Sequence, residues 1–115
     1  MGGSGSTLDQ KSTGGMTLRE ALNSAHLLVV DVRGSDEAKS GNYPGSTNIP
    51  ISEFEARVAE LGDKQRPIVL HCRGGMRSGS CCDIAKASGY VNVFSVANAG
   101  ELTALISDAK PSQRP

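Results

Sequence analysis

The 115-residue chain has room for one domain of about 90 residues once its Gly/Ser-rich beginning and Pro-bearing end are set aside. With 37% hydrophobic and only 3% aromatic residues, its core must be built mainly from Val, Ile, Leu and Ala. Twelve basic residues balance twelve acidic ones, so the overall charge gives no sign of a nucleic-acid or membrane-surface partner and any electrostatic function must be local.

Residues 1–15, "MGGSGSTLDQKSTGG", carry no apolar period and read as a flexible tail or an appended remnant. The domain is expected to begin at Met16, where Thr17 and Glu20 form a capping box for a short helix bearing Leu18, Ala21 and Leu22. "HLLVVDV" (26–32) is an apolar run without alternation, as a strand covered on both faces requires, with Asp31 and Arg33 at its C-terminal end. A short polar helix, a turn at Tyr43-Pro44-Gly45 and a brief strand at 47–49 follow. "SEFEARVAELG" (52–62) predicts one continuous helix, with a second capping box at Ser52 and Glu55, an inward face of Phe54, Val58 and Leu61, and Gly62 as its stop. "PIVLHC" (67–72) is a second buried strand. The next helix, "RSGSCCDIAKASG", turns Cys81, Ile84 and Ala85 inward. "VNVFSV" (91–96) is a third strand, and "AGELTALIS" a last helix, after which residues 109–115 fray. Strands alternating with helices over 16–108 predict an α/β fold, a central parallel sheet with helices on both faces.

Ligands of such sheets bind beyond the C-terminal strand ends, which is where "HCRGGMRS" (71–78) falls. Gly74 and Gly75 let successive backbone N–H groups turn inward, and the next helix adds its positive end, so an anion cradle is expected with Cys72 at its entrance. The thiol pKa should fall from about 8.5 toward about 5–7. Arg73 and Arg77 would attract an anionic substrate and offset the thiolate. These residue types agree on a nucleophilic cysteine.

"VVDVR" (29–33), Glu37, "YPGSTNIP" (43–50), "IVLHCRGGMRS" (68–78) and "GYVNVFSV" (89–96), in that order, resemble the rhodanese-like sulfurtransferases. The resemblance implies a three-layer rhodanese-like domain over 16–108, in which Cys72 takes sulfane sulfur as a persulfide. Thiosulfate or a related anion would be the donor, and cyanide, a thiol or a protein the acceptor. In this reading backbone N–H groups of Arg73, Gly74, Gly75, Met76, Arg77 and Ser78 hold the sulfur, Arg73 and Arg77 orient the donor, and Asp31, Arg33 and His71 support the site. By its spacing alone, Glu37 four residues after Arg33 is expected to pair with it. Asn42-Tyr43 replace the family's frequent His-Ile pair and "ANAGEL" its glycine-rich segment, changes that bear on the acceptor.

Phosphatases and arsenate reductases of the same fold carry an HCX5R loop, whereas four residues separate Cys72 from Arg77 and Ser78 holds the X5 arginine position. The shorter loop favours a lone sulfur over a tetrahedral phosphate. A persulfide carrier or interaction module without turnover is the other alternative. No metal or organic cofactor is implied: no second Cys/His cluster completes four ligands around Cys72, Cys81 and Cys82, and His26 is far upstream. Three cysteines, two adjacent, argue against a disulfide framework, although Cys81 or Cys82 could resolve an oxidised Cys72. No apolar run reaches the roughly 18 residues of a membrane span. A soluble monomer in a reducing cytoplasm is expected, or a periplasmic one had a signal segment been removed.

Overall fold

The computed structural model describes residues 7–41 and 43–110. One sheet of four parallel strands, β1 (Leu28–Asp31), β2 (Thr47–Asn48), β3 (Ile68–Cys72) and β4 (Val93–Asn98), runs in the order β2-β1-β3-β4. Helices α1 (Leu18–Leu22), α2 (Ser35–Lys39), α3 (Ile51–Phe54), α4 (Met76–Ala87) and α5 (Ala99–Ala109) connect and flank them. The expected α/β architecture, a central parallel sheet in a three-layer domain, is therefore present.

The absence of alternation in β1 and β3 has its cause in this layering. Val30, Ile68, Leu70 and Cys72 pack with Phe54, Leu61, Cys81, Ala85 and Tyr90 on one side. Val29, Val69, Phe94 and Val96 pack with Leu18, Ala21, Leu22 and Leu102 on the other. Every residue of β3 is buried, so that strand has no wet face to mark with a polar residue. On α4, Ser78, Cys81, Cys82 and Ala85 form the buried stripe at helical spacing. These side chains are small, so the helix lies close on β3 and β4 and its first turn hangs over the end of β3.

The Thr17–Glu20 capping box is formed as expected, each side chain bonding the other residue's amide at 3.1 and 2.8 Å. The helix expected over 52–62 is not continuous. It breaks into α3 and a 3-10 turn at Val58–Leu61, and no capping box forms at Ser52, because Pro50 caps α3 and Ile51 N–H is anchored on Val32 O at 3.0 Å. The Tyr90 hydroxyl donates toward the carbonyls of Val58 and Gly62, at 3.1 and 3.2 Å, and so takes up acceptors at the helix's C-terminal half. Phe54 and Leu61 face inward nonetheless. The last strand and helix also run further than expected, to Asn98 and Ala109.

The expected N-terminal tail is also corrected from Thr7 onward. Thr7–Asp9 form a 3-10 turn whose Leu8 is buried in the α1/α5 layer, Leu18 N–H bonds Gln10 O at 2.9 Å, and Gly14 N–H bonds Val91 O at 2.8 Å. Ser12 Oγ donates to Asn92 Oδ1 at 2.6 Å. A single leucine and a few backbone bonds hold the segment, and neither leaves a periodic trace. Residues 1–6 and 111–115 lie outside the described residues, while Ala109, placed in the frayed tail by sequence, is buried at the end of α5.

Candidate active site

β3 ends at Cys72, Arg73 and Gly74 cross its C-terminal end, and α4 opens at Met76 behind Gly75. Gly75 adopts φ +100°, ψ −18°, a left-handed conformation that side chains disfavour. That turn aims its N–H at the Cys72 sulfur, 3.0 Å from Sγ, and Ser78 N–H in the first turn of α4 lies 3.4 Å from the same atom. The thiol is also 3.4 Å from Ser78 Oγ. Of the six loop amides expected around the sulfur, those of Gly75 and Ser78 are in hydrogen-bond contact.

A second device positions the cysteine from the far side. The β3–β4 register pairs His71 with Val96 but Cys72 with Asn98, a bulge that leaves Ala97 out of the ladder. Ala97 O then lies 3.8 Å from Sγ. Asn98 caps α5 by accepting from Glu101 N–H, so the short "ANAG" turn is held rigidly beside the loop.

Burial pushes the Cys72 thiol up, but the Ser78 hydroxyl and the amides of Ser78 and Gly75, with a smaller pull from the Gly74 amide that makes no hydrogen bond to Sγ, outweigh it and bring the pKa down to about 7. This is the upper end of the expected range. Cys81 and Cys82 behave oppositely. Burial pushes Cys81 up to about 11 and raises Cys82 as well, so neither competes as a thiolate.

The arginines divide in a way the sequence did not suggest. Arg73 is exposed beside the loop, and Met76, 86% exposed, is a rim residue. Arg77 instead turns to Glu37 in α2, Nη1 to Oε1 at 2.8 Å and Nη2 to Oε2 at 3.1 Å. Glu37 is thus not the partner of Arg33, and its carboxyl is held down at about 2, chiefly by Arg77. Arg33 binds Asp31 through Nε and Nη2, at 2.8–3.1 Å, and so pairs the charge of a carboxylate that is wholly buried two residues upstream. Burial pushes Asp31 up, but the Arg33 side chain and amide hold it below its usual value.

His71 is fully buried and sits opposite Asp31 in the parallel register, and among the described residues neither ring nitrogen has a hydrogen-bond partner. Burial lowers its pKa and disfavours the charged form. It is a strand residue behind the cysteine. Ser95, which sequence reading passed over, donates to Ser78 Oγ at 2.9 Å. Its only trace was a hydroxyl interrupting the apolar run "VNVFSV". Ser78 itself is completely buried against Sγ, so the position where a CX5R loop would carry arginine is filled by a hydroxyl. Among the described residues no helix is long and apolar enough to cross a membrane.

A parallel sheet with a cysteine-centred amide cradle at its C-terminal end defines a class, and comparison with known proteins gives that class its family. Residues 16–100 match the rhodanese-like domain. The human thiosulfate:glutathione sulfurtransferase is 32% identical over 95 residues, covering 71% of this chain and 83% of that protein. The tRNA uridine(34) hydroxylase of Buchnera aphidicola is 27% identical over 94 residues, covering 77% of this chain, but the chain spans only 30% of that relative's length. Among solved structures, the human single-domain sulfurtransferase superposes with a TM-score of 0.61 at 29% identity, covering 83% of this chain and 92% of that one. The chain belongs to the rhodanese-like domain family, whose fold it shares.

Proposed function

We propose that this protein is a sulfurtransferase that carries sulfane sulfur on Cys72. The observation that supports this most directly is the sulfur's own environment: two amides and a hydroxyl converge on Sγ and lower its pKa to about 7. Near neutral pH much of the thiol is then ionised without a general base. The thiolate attacks the outer sulfur of thiosulfate or a related donor, a new S–S bond forms, the donor's S–S bond breaks, and sulfite leaves with its electron pair. Cyanide or a thiolate then attacks the outer sulfur of the persulfide. The bond to Sγ breaks and the Cys72 thiolate is restored. Arg73, exposed at the mouth, steers the anionic donor, and the loop amides hold the charge on sulfur.

The name of the human relative supports thiosulfate as donor and a small thiol as acceptor. The buried Ser78 tells against a phosphatase or arsenate reductase, whose loop would need an arginine there. Three free cysteines suit a reducing compartment, which supports a cytoplasmic location. The test is incubation with thiosulfate followed by intact mass analysis and by thiocyanate assay after adding cyanide. One added sulfur, lost in Cys72→Ser, with thiocyanate formed, is the expected result. No added sulfur would overturn the proposal, and sulfur loading without turnover would identify a carrier instead.

A further inference from the structure

Ser78 is buried, and its Oγ has four polar neighbours: Val96 O at 2.9 Å, Gly75 O at 3.2 Å, Ser95 Oγ at 2.9 Å and Cys72 Sγ at 3.4 Å. A hydroxyl supplies one proton and two lone pairs. The two carbonyls only accept, so they compete for the one proton and fill neither lone pair. Gly75 O is already served by Gly79 N–H at 2.9 Å, which leaves Val96 O as its main claimant. While Cys72 is a thiol, its S–H has two acceptors, Ser78 Oγ at 3.4 Å and Ala97 O at 3.8 Å; when it donates to Ser78, it and the Ser95 hydroxyl occupy the two lone pairs of that oxygen. When Cys72 ionises, its proton is gone and Sγ becomes an anionic acceptor, which draws the Ser78 proton from a carbonyl toward the sulfur.

Among the described residues, Ser95 is the one donor to Ser78 that persists through this change. A hydroxyl that accepts a bond donates a stronger one, and this polarisation is most effective where water is excluded. We infer that Ser95 is a positioning residue for the chemistry at Cys72, orienting and polarising the Ser78 hydroxyl toward the anionic sulfur. It does not touch the sulfur itself. The inference rests on Cys72 being the nucleophile.

The test is the pH profile of Cys72 alkylation by iodoacetamide in the full chain, quantified on the Cys72 peptide so that Cys81 and Cys82 do not contribute. Ser95→Val removes the hydroxyl and Ser95→Thr keeps it, and both side chains suit a strand. The inflection should rise by about half a pH unit in Ser95→Val and stay near wild type in Ser95→Thr. Ser78→Ala should raise it further, and adding Ser95→Val to Ser78→Ala should raise it no more, because the effect passes through Ser78. An unshifted Ser95→Val, or additive shifts in the double variant, would overturn the inference. If Ser95→Val melts below the assay temperature, Ser95→Ala decides by the same readout. Sulfur transfer is not measured, so the failures are separable: a wild-type thiol titrating like free cysteine removes the premise, whereas an inflection near neutrality that ignores Ser95 removes only the relay.

Discussion

Glu37 in α2 and Arg77 in the first turn of α4 are forty residues apart in sequence and meet as a two-armed ion pair. The pair ties the loop–helix junction to the segment after β1, and it neutralises one of the two cations expected to face the donor. Glu37→Gln keeps the shape and removes the charge. Because both side chains are about one-third exposed, Tm should fall by only a few degrees. The freed guanidinium leaves an extra positive charge near the mouth, so KM for thiosulfate, the donor proposed above, should drop at low ionic strength with kcat unchanged. A KM series against salt checks this, since screening should erase the difference above about 0.5 M.

Gly75 and Gly74 should differ sharply when each is replaced by alanine. Gly75 holds φ +100°, and its added Cβ would meet Ala97 Cα at 3.5 Å, a tolerable contact, so the cost is backbone strain of about 1–2 kcal/mol. Relaxing that strain swings the Gly75 N–H away from Sγ. Gly75→Ala should therefore lower stability and also move the Cys72 alkylation inflection up toward that of a free thiol. Gly74 has no positive φ and nothing within 4 Å of its ideal Cβ, so Gly74→Ala should leave stability nearly unchanged. Urea denaturation together with the alkylation profile separates the two.

The thiols give stability a definite dependence on pH. Cys72 titrates at about 7 when folded against an ordinary value of 9.0, so between these values the unfolded chain binds more protons and stability rises with pH. That contribution is complete above about pH 9 and is lost as pH falls through 7. Cys81, at about 11 when folded, has the opposite sign, and stability should decline from about pH 9 toward 11. Denaturation midpoints under reducing conditions should show the rise abolished in Cys72→Ser and the decline reduced in Cys81→Ala.

Ser78→Arg places the arginine of a CX5R loop at its proper count. The position is fully buried, so the variant must bury an unpaired cation or open the α4–β4 contact, a loss of at least about 3 kcal/mol. We expect a poorly folded protein with no aryl phosphate hydrolysis. Thermal melting and a p-nitrophenyl phosphate assay are the measurements.

The parts of the fold that were legible in the sequence are those set by local rules. The capping box at Thr17 and Glu20, the unalternating runs of β1 and β3, and the glycine loop after a buried strand each state their structure within a few residues. What was not legible depended on distant partners. The 52–62 segment has a sound helical period, but Pro50 and Ile51 start the helix elsewhere and the Tyr90 hydroxyl takes up its later carbonyls. Four-residue spacing suggested Arg33 for Glu37, yet Asp31 claims Arg33 first, and Arg77 arrives from another element. Ser95 offered almost no signal, since its role exists only because α4 sets Ser78 against β4.

Through the segment from Thr7 to Gly15, the stretch recognised by family likeness and the packed body of the domain have different limits. Matching begins at residue 16, yet Leu8 fills a hollow beside Leu18 and Leu22, and Gly14 and Ser12 clip onto the approach to β4. A version begun at residue 16 would keep every atom around the sulfur while baring oily surface on α1, and so would be prone to self-association.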